Sequence, residues 1–140
     1  MPSIRDELRQ QVFREAAHRC EYCRTSRRLI GMPLVVDHIV PRSRSGSDER
    51  SNLAAACYRC NEFKAAKTDA LDHATGEWVL LFHPRIQVWS YHFAWADGGV
   101  HVVGLTPTGR ATVSALRLNN EYVVEARAIW IARGWHPPED

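Results

Sequence analysis

Residues 34–61 read LVVDHIVPRSRSGSDERSNLAAACYRCN, and how this stretch is parsed decides the rest of the chain. It opens on a short apolar, β-branched run, which predicts strand structure around 34–39. A short strand is also expected before it, with Gly31 and Pro33 as punctuation. The run PRSRSGSDERSN, rich in Ser, Gly and charge, predicts a loop. Ser51-Asn52-Leu53 is expected to open one helical turn ending near Cys57. The stretch ends in Cys57-x-x-Cys60, which matches Cys20-x-x-Cys23 upstream, and these pairs account for all four cysteines. A two-residue gap lets both sulfurs of a turn face one ion, and paired motifs of this kind point to zinc rather than disulfides in a reducing compartment. A closed four-thiolate site leaves no position for substrate, so Cys20, Cys23, Cys57 and Cys60 are assigned to structural Zn²⁺ and not to catalysis. The 33 residues between Cys23 and Cys57 exceed the spacing of a compact finger, so something folded lies between the knuckles, and it contains Asp37-His38.

Working outward, Ile4, Leu8, Val12 and Ala16 recur every four residues behind Ser3, predicting a capped amphipathic helix over about 4–18. Beyond Cys60, NEFKAAKTDALDHA favours helix up to Gly76. The alternation in Trp89-Ser-Tyr-His-Phe-Ala-Trp95 then predicts a strand. Asp97-Gly98-Gly99 makes its turn and Val100–Leu105 the return strand. Thr106-Pro107 starts a helix to about Leu118, and Asn120 caps a last one to Arg133. The expected division is a core over 1–76 and an extension over 77–140 packed on it.

Composition narrows the function. At 140 residues, 45% hydrophobic and 24% charged, the chain can bury a core. No run approaches the length of a membrane span, and the charged N-terminus does not resemble a signal peptide, so the expected compartment is the cytoplasm. Residues 1–67 hold thirteen Lys and Arg against eight Asp and Glu, whereas 68–140 hold five against eight. The first half is therefore the better candidate for a phosphate-facing surface. Arg42 and Arg44, directly after the Asp-His strand, and Lys64 and Lys67, read on the helix that carries Asn61, are the candidate phosphate contacts. His83 and His92 are the other histidines worth testing, since they border the aromatic hairpin.

The ordered set Asp37-His38, Asn52 and Asn61, framed by the two cysteine pairs, resembles the HNH endonuclease family over about residues 18–68. The resemblance implies an α+β fold: a ββα-metal core with a structural zinc knuckle, preceded by the N-terminal helix and followed by the hairpin and two C-terminal helices. It implies His38 as general base, Asp37 and Asn61 as ligands of a catalytic Mg²⁺ or Mn²⁺, and Asn52 as a brace holding the histidine strand. The chemistry is coherent: a neutral imidazole can take a proton from water at physiological pH. A hard ion on oxygen ligands can neutralise a phosphate and its leaving oxygen. Adjacent strand residues face opposite sides, so a strand end or bulge is expected at Asp37-His38. The expected function is metal-dependent hydrolysis of DNA. RNA is a second candidate substrate, a homodimer an option for paired cuts, and no membrane is involved. The alternative is a non-cleaving, zinc-stabilised nucleic-acid-binding module or a subunit of a larger DNA-processing complex.

Overall fold

A computed structural model describes residues 4–139. The expected cap at Ser3 lies outside them. The first helix, α1 (Asp6–Glu15), starts two residues later than the periodicity suggested. It buries Val12 and Phe13, and Asp6 and Glu7 stand in its first turn, where the helix dipole favours negative charge. The helical turn α2 (Arg27–Ile30) takes the place of the expected early strand. Ser26 caps it by accepting from the Arg28 N–H, and Gly31 ends it in the left-handed conformation (φ 71°).

Strand β1 (Val35–His38) pairs antiparallel with β2 (Leu53–Ala56), with Asp37 opposite Ala54 and His38 opposite Leu53. The helical turn expected after Asn52 is a correction: Arg50–Asn52 forms one tight 3-10 turn, and the chain then extends as β2. All four residues of β2 are buried. Three alanines carry helical propensity, but a strand of small side chains lets flanking elements approach closely, and packing overrides the local preference. Helix α3 (Tyr58–Lys64) follows at once, with Cys57 as its N-cap. A ββα unit results, with α1 packed against β2 and α3 against β1.

The long helix expected from Asn61 to Gly76 is also corrected. It stops at Lys64, where Ala65 adopts a positive φ of 50°, and the chain enters the hairpin β3 (Asp69–Asp72) and β4 (Glu77–Leu80). Lys67 therefore lies beyond the helix. Asp72 closes the turn, receiving bonds from the Ala74 N–H and the Thr75 hydroxyl (3.2 and 2.8 Å), while Arg110 clasps it with two bonds of 2.9 Å. Such local side-chain bonding competes with helix, which composition alone does not register. Gly76 sits in this turn, so the boundary expected there falls inside a hairpin.

Two compact units result: residues up to Thr68 together with His83–Ile86, and Asp69–Phe82 together with Gln87 onward. His83 thus belongs with the first unit, where the neighbouring Arg85 pairs with Glu21. In the second unit the expected strand from Trp89 begins instead as a helical turn, α4 (Trp89–His92), before β5 (Phe93–Ala96). Trp89 and Phe93 stack with centroids 5.1 Å apart. Their four-residue spacing suits a helical turn as well as it suits alternation. Strand β5 pairs with β6 (His101–Gly104) as the hairpin reading requires. Helices α5 (Pro107–Ala115) and α6 (Glu121–Ala132) start from Thr106 and Asn120, both of which cap through their side chains. Among the described residues no helix is long and apolar enough to cross a membrane.

The Asp72–Arg110 pair gives the second unit a defined acid sensitivity. Arg110 holds the Asp72 carboxyl from the usual 3.8 down to about 2, helped by Thr75 and the Ala74 amide against the opposing effect of burial. A depressed folded value means the pair's stabilisation is present above pH 4 and is lost as the pH falls toward 2. Asp72→Asn is therefore expected to be less stable than wild type at pH 6 and to converge with it near pH 2. Urea melts across that range check this.

Candidate active site and four-cysteine knuckle

The four cysteines are buried, and their sulfurs all lie within 4.8 Å of one another. Cys23 and Cys57 are 3.8 Å apart, roughly the separation of two thiolates bound about 2.3 Å from one tetrahedral ion. Each C-x-x-C turn points its second amide at its first sulfur, Cys23 N to Cys20 Sγ at 3.5 Å and Cys60 N to Cys57 Sγ at 3.4 Å. Hydrogen bonds from Cys20 and the other thiols hold Cys23 well below the usual thiol value, while burial pushes Cys20 well above it. Four thiols this close cannot all ionise without a cation among them. Geometry and donor chemistry both fit a structural metal site. Arg59 adds a guanidinium 3.9 Å from Cys23 Sγ.

The knuckle also positions the strand pair. From within the first C-x-x-C turn, the Glu21 N–H bonds Ala55 O at 2.9 Å and the Glu21 carboxylate accepts from the Ala55 N–H at 2.7 Å. Next to it, the Tyr22 hydroxyl donates to Asp37 Oδ2 at 2.7 Å. From the second turn, α3 carries Asn61 at its midpoint and ends in Lys64.

Asp37 and His38 occupy the end of β1, and their side chains meet different partners. Asp37 is only 4% exposed, and Lys64, itself 1% exposed, places its ammonium 3.1 Å from Asp37 Oδ2. The same ammonium donates to His38 O at 3.2 Å and Ile39 O at 3.1 Å. Burial pushes the Asp37 carboxyl up, against the pull of Lys64 and Tyr22. Lys64, expected at a phosphate, is therefore corrected to an interior cation. Its amphipathic stem made it legible as a surface residue, and only the packing of α3 on β1 turns it inward. These oxygens form a cradle that already holds a positive charge, so hard cations suit the region around Asp37.

The His38 ring contacts Asp48 instead, Nε2 to Oδ1 at 2.8 Å, and Arg42 Nε donates to the same oxygen at 2.9 Å. The loop between them is closed at its base by Asn52, whose amide accepts from Val40 N (2.8 Å) and donates to Val40 O (3.0 Å) and Ser47 O (2.7 Å). Every strong hydrogen-bonding direction of that amide but one is thereby spent on backbone. Gly46 seals the same loop: a Cβ there would fall 1.7 Å from Val40 O, so no other residue fits. Arg44 is exposed and reaches Thr68 Oγ1 (3.2 Å), and exposed Lys67 donates to Phe63 O (2.9 Å). Farther along the chain, His92 Nδ1 lies 2.6 Å from Thr106 Oγ1, part of the α5 cap. Tyr22 and Asp48 were not singled out by the sequence. Nothing in their spacing marks either, because each meets its partner across ten or more residues of loop or turn.

Two antiparallel strands, a helix packed on them, a histidine closing the first strand and a four-cysteine knuckle form the ββα arrangement expected of an HNH domain. Residues 20–67 match the family model of the HNH endonucleases. The chain is also 39% identical over 69 residues to the CRISPR-associated endonuclease Cas9 of Corynebacterium diphtheriae, an alignment covering 45% of this chain and 6% of that protein. The chain thus spans a small fraction of its relative's length. No solved structure matches.

Proposed function

We propose that this protein hydrolyses phosphodiester bonds in DNA, with His38 as general base and the four-cysteine knuckle holding structural zinc. The observation that carries the reading is the placement of His38 at the close of β1, within a segment that matches the HNH family. His38 takes a proton from water, the water oxygen bonds to phosphorus, and the bond from phosphorus to the 3′-oxygen breaks, that oxygen taking a proton from solvent. Asp37 and Asn61 would hold a Mg²⁺ or Mn²⁺ ion, which when bound supplies positive charge to the phosphate and the leaving oxygen. Asn52 acts as a brace for the loop, its amide bonded to the Val40 and Ser47 backbone. Arg44 and Lys67 remain candidates for gripping flanking phosphates.

The deciding experiment incubates supercoiled plasmid with folded, zinc-loaded wild type and His38→Ala, with Mg²⁺, with Mn²⁺ or with excess EDTA. Cleavage by wild type with added metal is expected to fall about 10²–10⁴-fold in His38→Ala, the range typical of a lost general base. One observation favours a second reading, a nucleic-acid-binding module that does not cut: the Asp37 carboxylate is already neutralised by Lys64. Plasmid binding by both proteins, with no nicking under any metal, would decide for it.

A further inference from the structure

His38 could have been oriented by a backbone carbonyl or by water; the group on its ring is instead the carboxylate of Asp48, ten residues along the chain. Three features make this a built contact. Asp48 Oδ1 is shared, at 2.8 Å with His38 Nε2 and at 2.9 Å with Arg42 Nε, so the carboxylate is itself held from a second side. The Asn52 amide and the tight seat of Gly46 under Val40 O fasten the loop that presents it. Hydrogen bonds from Arg42 and then His38 lower the Asp48 carboxyl below its usual range, so it is ionised at neutral pH. An ionised carboxylate only accepts hydrogen bonds, so the hydrogen between the two groups sits on His38 Nε2.

Resting on the reading of His38 as base, we propose that Asp48 is a positioning residue that holds the His38 ring through Nε2–H and leaves Nδ1 as the nitrogen that takes the proton from water. Arg42 acts one contact further out by fixing the carboxylate, which gives it a place in the site other than the phosphate grip its charge suggests. The carboxylate also lies next to the ring as it becomes cationic, the arrangement in which an aspartate orients and stabilises a catalytic histidine.

The test uses the full, zinc-loaded chain. Without substrate, ¹⁵N-labelled wild type should show a His38 Nε2–H proton protected from exchange with water, and Asp48→Ala should lose it. With plasmid, Asp48→Ala and the isosteric Asp48→Asn should lower kcat about 10–100-fold and about 3–10-fold respectively, with KM within about twofold. Nδ1-methylhistidine placed at position 38 should abolish cleavage while fold and zinc content are retained. No protected Nε2–H in wild type, wild-type kcat in Asp48→Ala, or cleavage by the Nδ1-methylated protein would each overturn the proposal. His38→Ala separates the two levels. If it cleaves like wild type, the reading of His38 as base fails. If it is inactive while Asp48→Ala cleaves normally, only the role of Asp48 fails.

Discussion

Stripping the metal from the knuckle is expected to unfold the ββα unit outright. Structural zinc in comparable thiolate sites contributes an apparent 10–16 kcal/mol or so at neutral pH, as large as the whole stability of a typical domain, about 5–15 kcal/mol. Here the knuckle leaves little to survive its loss. Cys57 is the N-cap of α3, Glu21 in the first turn bonds both amide and carbonyl of Ala55, and Tyr22 beside it holds Asp37. Without a cation among them, four buried sulfurs lie within 4.8 Å of one another. A strong chelator under reducing conditions, or Cys57→Ser, should therefore erase hydrogen-exchange protection in β1, β2 and α3, and added zinc should restore it for the chelated wild type. Protection that persists in these elements after metal is shown to be gone would refute a structural role for the knuckle.

Lys64→Met should cost about 3–5 kcal/mol, the usual penalty for removing one partner of a buried ion pair. The methionine keeps the volume, but Asp37 loses its ammonium and keeps the Tyr22 hydroxyl, and His38 O and Ile39 O lose their shared donor. Burial already raises the Asp37 carboxyl, and losing Lys64 raises it further. A raised folded value means stability falls as the pH rises through it, so the deficit should be largest at neutral pH and shrink in acid. Chemical melts at several pH values read this directly. The same variant probes the oxygen cradle: Mn²⁺ should raise the melting temperature of Lys64→Met by more than that of wild type, since the competing ammonium is gone. Equal shifts in the two proteins would show that the divalent ion does not enter at Asp37.

What could be read along the chain was whatever is decided within a few residues. The C-x-x-C turns, the Thr106 and Asn120 caps, and the turn between β5 and β6 depend on neighbours in sequence, and the structure places each where its spacing indicated. The ββα order was legible for another reason: Asp37-His38 stands between the cysteine pairs and Asn61 directly after the second, a recognisable order. Misreadings gathered where specific side-chain contacts, within a turn or across the fold, outvoted backbone preference. Ala54–Ala56 became strand because α1 packs across it, 69–72 became strand because Asp72 closes a turn and holds Arg110, and Trp89–His92 became helical because Trp89 stacks on Phe93.

The candidate site divides in the same way. The sequence by itself nominated the side chains proposed to carry the chemistry, since a thiolate, an imidazole or a carboxylate keeps its donor character wherever the chain places it. Only the tertiary structure decided their partners. It sent Lys64 inward to Asp37 and brought Asp48 to His38, because side chains separated by 27 and by 10 residues meet only once α3 and the loop are packed in place.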